Sequence, residues 1–204
     1  MMLHWPTVRR SRCGLGAGVL MLVVAGSAVA GSAIAQSTLP ERYADSTFWR
    51  LSNEFSEPNG FFRSDNLLSN ETSFQWVVPA LQKMTREGGV YLGVAPEQNF
   101  TFIAALRPRV AFIIDIRRGN MMAHLMYKAL FELSADRAEF VSRLFSKNRA
   151  EGLTTKSTPA EIVAAFGNME TSEALYKANL KAIYDQLSAK HGFALSDDDR
   201  EGIE

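Results

Sequence analysis

A tight loop and an acidic residue about 20 positions later are the features of this sequence that most clearly suggest chemistry. Gly93 lies near the end of an apolar run and is followed by Glu97, Gln98 and Asn99, and Asp115 closes a second apolar run. In open parallel sheets, a glycine lets a ligand approach the first loop, and an acid after the second strand accepts hydrogen bonds from a ribose. The spacing therefore predicts a site for a nucleotide-like cofactor, built from these five residues.

The same residues also have a purely structural interpretation. Gly93 and Asn99 are typical of a turn and a helix cap. Asp115 is followed by Arg117 and Arg118, which would pair with a strand-end carboxylate or would bind a carboxylate or phosphate group of a substrate. The glycine patterns of dinucleotide-binding and P-loop sites are absent from the sequence, so both interpretations stay open.

A second polar stretch lies between aromatic residues, nearer the amino terminus. Asp65, Asn66, Asn70 and Glu71 supply carboxylates and amides that would bind a polar substrate or act as a general base. Helix caps and Asx turns use the same residue types. We therefore treat the four residues as substrate-site candidates, with capping as the alternative.

Other classes of site and partner find less support. His124 and His191 have no nearby His, Asp or Glu at metal-ligand spacing, which argues against a metal site. The Gly-x-Ser-x-Gly elbow of serine hydrolases is absent, and the only cysteine, Cys13, lies before the apolar run near the amino terminus. The 22 basic and 22 acidic residues balance, which does not favour a nucleic-acid partner. The expected partner is a small-molecule ligand.

Residues 1–35 have the three-part form of an export signal. A basic start precedes an uncharged run over 14–35, and the small side chains of Ala33 and Ala35 mark a cleavage point before Gln36. Cleavage after Ala30 is the alternative. The protein is therefore predicted to be exported to the periplasm or the extracellular space.

The leader leaves the route and the membrane contact open. Paired Arg9 and Arg10 suit the twin-arginine route, and an ordinary secretory signal is the alternative. An uncleaved leader would anchor the chain in a membrane, and no other membrane contact is expected. Three bases and no acids lie in the leader, so the mature chain has 19 bases against 22 acids.

After a linker over 36–45, residues 46–204 predict an α/β domain. Apolar runs at 90–94 and 110–116 are predicted as parallel strands buried on both faces, joined by a helix that begins at Gln98 or Asn99. Further helices are predicted from Ser46, from Ser69 or Asn70 with a kink at Pro79, from Met121, from a Ser134 cap, from Thr158-Pro159, from Thr171 or Ser172, and from Ser196.

Two strands make a small parallel sheet, and only five residues follow the last helix signal, Ser196-Asp197-Asp198-Asp199. The sequence therefore predicts the amino-terminal portion of a larger, doubly wound α/β domain. A helical domain with a minimal sheet is the competing interpretation.

The mature sequence resembles an uncharacterised family of bacterial exported proteins. The strings that carry the resemblance occupy residues 39–43, 48–49, 56–58, 62–66, 69–71, 89–94, 97–101, 114–118 and 127–137. That family in turn resembles the class I S-adenosylmethionine-dependent methyltransferase fold. The resemblance implies a doubly wound, Rossmann-like sheet with S-adenosylmethionine as cofactor, in which Gly93 and the loop through Glu97 form the cofactor loop and Asp115 binds the ribose.

Two functions are compatible with these features. A methyltransferase-like enzyme would act mainly by holding the methyl donor in line with a nucleophile, so that few titratable side chains are needed. Export, however, carries the protein away from the cytoplasm, where that donor is made. A non-catalytic binding or interaction protein that uses no cofactor is therefore the alternative.

Overall fold

The computed structural model describes residues 40, 42–58, 60, 63 and 67–204. The predicted export signal, half of the predicted linker, and the candidate residues Asp65 and Asn66 lie outside those residues. The chain divides into two units after Pro40, and every element described below belongs to Glu41–Glu204. None of the helices in the described part is long and apolar enough to cross a membrane.

The described part consists mainly of helices, with two strands near its middle. The α-helices are α1 (Asp45–Glu54), α2 (Val78–Met84), α3 (Gln98–Leu106), α4 (Arg118–Leu133), α5 (Arg137–Leu144), α6 (Pro159–Gly167), α7 (Glu173–Tyr184) and α8 (Asp197–Glu201). The strands are β1 (Val90–Val94) and β2 (Val110–Ile114). A 3-10 turn (Phe74–Val77) precedes α2, and a π turn (Asp185–Lys190) extends α7.

The two strands and α3 form the βαβ unit that the sequence predicted. Strands β1 and β2 are parallel and pair in register, from Val90 with Val110 to Val94 with Ile114. The N–H of Ala95 donates to the carbonyl of Ile114 at 3.0 Å, which extends the pairing past the end of β1. The chain is therefore a helix-rich α/β protein with a two-stranded parallel sheet.

The prediction that both strands are buried on both faces is wrong. Tyr91 and Gly93 face α3, where the ring of Tyr91 lies 6.4 Å from that of Phe102. Side chains at the alternate positions are 42% to 69% exposed: Val90, Leu92, Val94, Phe112 and Ile114. A continuous apolar run indicates a strand without polar side chains on either face, but it does not specify what covers each face.

The main core lies in the helical part of the chain, around α4. Its buried members come from α4, α7, the π turn and the carboxyl-terminal residues: Met122, Leu125, Ala129, Leu130, Ile183, Leu187, Phe193 and Ile203. Helix α1 packs onto this core through Trp49, whose ring stacks on Phe193 at 5.1 Å. A smaller cluster of Ala138, Ile162 and Phe166 joins α5 to α6.

The starts of α6, α7 and α8 were predicted correctly, with Ser172 one of the two caps proposed for α7. Thr158 and Glu161 form a capping box and Pro159 occupies the first turn of α6, while Ser172 and Ser196 cap α7 and α8. Each of these caps contacts only residues a few positions away. The sequence alone therefore sufficed to place these helices.

Single polar residues near a helix start were less reliable. The prediction of Ser46 as a cap is wrong, because α1 begins one residue earlier and has no side-chain cap. Ser134 does not cap α5; Asp136 does, by accepting from the backbone N–H of Glu139. Pro79 causes no kink, since it lies in the first turn of α2, where no N–H is needed.

Candidate functional site

The carboxyl ends of β1 and β2 lie side by side, so the loop after β1 and the acid after β2 meet at one edge of the sheet. The bond from Ala95 to Ile114 fixes this arrangement, because Asp115 is the next residue of the chain. We call this edge, with the loop over 94–98 and the first turns of α4, the crevice. It is where open α/β sheets bind ligands.

The space beside Gly93 is filled by Asn99. A Cβ atom at Gly93 would lie only 2.0 Å from the Oδ1 of Asn99 and 2.6 Å from Cε1 of Tyr91. Asn99 is buried, its Nδ2 donates to three carbonyl oxygens in residues 94–96 at 2.7 to 3.1 Å, and its Oδ1 accepts from the Tyr91 hydroxyl at 2.7 Å. The glycine thus lets an asparagine hold the loop from inside.

The two polar stretches that the sequence suggested separately are in contact. Both carboxylate oxygens of Glu97 lie within 3.2 Å of the backbone N–H of Ser69, which donates to them, and the Ser69 hydroxyl hydrogen-bonds Oε1 of Gln98. Asn70 and Glu71 are exposed next to this contact. Ser69 therefore joins its own segment to the start of α3. The prediction that Ser69 or Asn70 caps the following helix is wrong.

Asp115 is held by its neighbours in sequence. Its Oδ1 accepts from the backbone N–H of Arg117 at 2.7 Å and from the Nε at 3.1 Å, and its Oδ2 accepts from Nη2 of Arg117 and Nδ2 of Asn120. Its side chain is 7% exposed. Burial raises the pKa of Asp115, but these hydrogen bonds outweigh it and hold the pKa below its ordinary value.

Arg118, although next to Arg117, faces the helical part of the chain. Its Nε and Nη2 atoms donate to the two carboxylate oxygens of Asp199 at 2.5 and 3.0 Å, and the Asp199 side chain is 3% exposed. The hydrogen bond from Arg118 lowers the pKa of Asp199. The pair connects the start of α4 to α8, so Arg118 and Arg117 do not form a common substrate site.

His124 lies at the crevice, where sequence reasoning did not expect it. Its Nε2 is 3.1 Å from the carbonyl oxygen of Ala95, and since a carbonyl can only accept, the geometry assigns the proton to Nε2. Its Nδ1 is buried and has no hydrogen-bond partner among the described residues. His124 follows Asn120 by four positions on α4, and this helical spacing was the signal that could have placed the two residues together.

A second polar cluster joins α1, α4 and the residue after the π turn. His191 has a side chain that is 3% exposed, and its Nδ1 and Nε2 lie 2.8 Å from Oδ2 of Asp45 and 2.5 Å from Oε2 of Glu132. Glu132 also accepts from Gln186 at 2.6 Å and from Lys128. Burial raises the pKa of Glu132, but the hydrogen bonds that it accepts outweigh this effect and lower its pKa from 4.5 to about 2.

The histidine cluster was invisible in the sequence because His191 is 146 positions from Asp45 and 59 from Glu132. In the part of the chain that the structure describes, no three His, Cys, Asp or Glu side chains are arranged to hold a metal ion. The cluster also has no serine, threonine or cysteine among its contacts that could serve as a nucleophile. Its geometry is that of a hydrogen-bonded contact that connects helices through a buried imidazole.

As arranged, the crevice does not fit the cofactor site that the resemblance implies. Arg117 and Asn120 engage both oxygens of the carboxylate that would bind a ribose. The close approach that Gly93 permits is used by Asn99. A ligand would therefore have to displace contacts that the protein makes with itself.

Comparison with known protein families gives a match over the middle of the chain. A family model described as "Domain of unknown function (DUF7790)" matches residues 67–195, well over half of the chain. No curated protein and no solved structure matches the chain. The matched segment contains the βαβ unit, the crevice and His191.

Proposed function

Since the chain belongs to the family described as Domain of unknown function (DUF7790), we propose a function from its own geometry: an exported, non-catalytic binding protein. The observation that carries the proposal is the closed set of hydrogen bonds at the crevice. Asp115, Asn99 and Glu97 each bind another part of the same unit. Such contacts hold a loop in one shape, whereas catalysis requires groups that are free to meet the substrate.

The energetics of Asp115 support this interpretation. A ribose could bind the carboxylate only by replacing Arg117, and its neutral hydroxyls form weaker hydrogen bonds than a guanidinium does. The displaced Arg117 would also lose its contact with a mostly buried acid. Breaking a buried pair costs about 3–5 kcal/mol, and a cofactor would have to offset much of that cost.

A second candidate function is a methyltransferase-like enzyme. The strand register favours it, because it brings the loop after β1 next to Asp115, as in nucleotide-binding sheets. Under this candidate, the βαβ unit is the core of a doubly wound sheet, S-adenosylmethionine is the cofactor, and Arg117 turns from Asp115 towards the ligand.

Titration with the cofactor separates the two candidates. We expect no measurable heat when the purified protein is titrated with S-adenosylmethionine or S-adenosylhomocysteine in a calorimeter. We also expect Asp115→Ala to lower the free energy of unfolding in urea by roughly 2 kcal/mol, because Arg117 and Asn120 lose their acceptor. Asp185→Ala, which removes an exposed acid elsewhere, is the matched control and should change neither measurement.

Micromolar binding that disappears in Asp115→Ala but persists in Asp185→Ala would contradict the proposal in favour of the enzyme. An unchanged unfolding free energy in Asp115→Ala would also contradict it. In that case the acid would not serve the fold, and a ligand would be the remaining reason for its position.

Export is part of the proposal and rests on the leader sequence, which lies outside the described residues. We expect amino-terminal sequencing of the protein from the cell envelope or medium to begin at Gln36, or at Gly31 if the alternative cleavage point is used. A chain that keeps Met1 and fractionates with the cytoplasm would contradict this expectation.

A further inference from the structure

One face of the two-stranded sheet is apolar and open. Six large side chains carry it, at alternate positions of the two strands and just beyond β2: Val90, Leu92, Val94, Phe112, Ile114 and Ile116. Each is 42% to 72% exposed, and none is charged or polar. We call this surface the open face.

The open face differs from most of a protein surface in its continuity. Soluble monomers usually expose apolar side chains singly, and their largest contiguous apolar patches reach about 300–600 Å². From their exposed fractions, the six side chains together present on the order of 600 Å², at the upper end of that range and below the roughly 800 Å² that each partner contributes to a standard interface. Parallel sheets, moreover, are almost always covered on both faces. The area and the sheet type both indicate a protein partner.

Helix α3 cannot be that cover, because it packs on the opposite face. The side chain of Asn99 fills the space beside Gly93 there, and Phe102 lies near Tyr91. The ring of Phe100, on another side of α3, meets Tyr127 of α4 edge-on at 5.6 Å. Helix α4 therefore packs against α3 on the same side of the sheet, so neither of these two described helices covers the open face.

We propose that the open face is the interface of a homodimer, in which the sheets of two copies pack face to face. An apolar face without charges is complementary to itself, so a two-fold axis can bring the same six side chains from each copy together. Two sheets packed in this way lie about 10 Å apart with their side chains interdigitated. Each copy then supplies the cover that the other lacks.

The composition of the open face favours a second copy over a lipid surface. At membrane–water interfaces, Trp and Tyr are enriched in belts at the level of the lipid headgroups. None of the six residues is Trp or Tyr. Dimerisation through this face goes beyond the proposed function and does not depend on whether the crevice binds a ligand.

Sedimentation velocity over a range of protein concentrations tests the proposal. The wild type should sediment as a dimer that dissociates on dilution, and Val94→Lys should raise the dimer dissociation constant by at least about 100-fold, since it places a charge in the interface centre. Val163→Lys is the matched control, because Val163 of α6 is also a valine with 69% exposure and lies outside the open face. This control should dimerise like the wild type.

A second variant tests the proposal if Val94→Lys does not fold. The double substitution Leu92→Thr and Ile114→Thr places a β-branched residue of high strand propensity at both positions and removes apolar surface, so it too should weaken the dimer. A wild type that is monomeric at every concentration would overturn the proposal, and flotation of that monomer with phosphatidylcholine vesicles would assign the open face to lipid. A dimer that is unaffected in folded Val94→Lys and in the folded double variant would overturn it as well.

Discussion

Replacing His191 with alanine is expected to lower the free energy of unfolding by about 3 kcal/mol or more, in urea at neutral pH. The ring joins Asp45 of α1 to Glu132 of α4 and stacks on Phe193 at 5.4 Å. Its removal leaves a cavity beside a buried aromatic ring and takes a partner from two carboxylates. Because these contacts come from different parts of the chain, α1 should detach most easily.

His124→Ala is the matched control for this prediction. It removes the same ring from a partly buried position, but His124 contacts a single carbonyl and no carboxylate. It should therefore cost about 1–2 kcal/mol. Equal losses in the two variants would mean that the two carboxylate contacts of His191 contribute nothing beyond the packing of a ring.

The difference between the wild type and His191→Ala should also depend on pH. The His191 hydrogen bond lowers the pKa of Asp45, and the donors around Glu132 lower its pKa from an ordinary 4.5 to about 2. An acid with a lowered pKa stabilises the folded state fully above its unfolded pKa, and this contribution is lost as the pH falls towards the folded pKa. Lys128 and Gln186 lower the pKa of Glu132 in the variant as well, so only the His191 part of the shift enters the difference. The stability difference should thus be full above about pH 5 and smaller below pH 4.5, and urea unfolding at pH 7 and pH 3 measures it.

The parts of the fold that the sequence predicted correctly depend on contacts between near neighbours. The βαβ unit follows from two apolar runs and a helix between them, and its register places Asp115 beside the loop, as the spacing implied. Thr158 was identified as a cap because its partner, Glu161, is three positions away. Patterns of this kind lie within a single element or a single crossover.

Some parts could not be predicted because they depend on contacts between residues that are distant in sequence. Others could not be predicted because a residue type suits two different hydrogen-bond partners equally well. Nothing in the sequence connects His191 with Asp45, which α1 brings to it only when the core forms. The spacing of Asp115 suits a ribose and an arginine equally well. In the structure, the turn after β2 brings the backbone N–H and the guanidinium of Arg117 to the carboxylate. The open face was missed because an apolar strand has the same sequence whether its cover comes from its own chain or from another.

Gly93→Ala should also cost about 3 kcal/mol or more. The new Cβ would overlap Oδ1 of Asn99, a buried side chain that cannot move without leaving three loop carbonyls and the Tyr91 hydroxyl without their partner. Overpacking and lost hydrogen bonds each contribute about 1–3 kcal/mol. Gly89→Ala is the matched control: its Cβ would meet only the carbonyl of Arg86, at 3.7 Å, so it should change stability by less than about 1 kcal/mol.

A double-mutant cycle with Asn99→Ala identifies the reason for the glycine. If Gly93 makes room for Asn99, the two substitutions are non-additive, because removing the amide also removes the closest clash and leaves only the contact with the Tyr91 ring. Gly93→Ala should then cost clearly less in the Asn99→Ala background than in the wild type. If Gly93 instead serves the close approach of a cofactor, Gly93→Ala should leave the unfolding free energy nearly unchanged and abolish binding of S-adenosylmethionine. The cycle therefore also decides whether this loop serves the fold or a ligand.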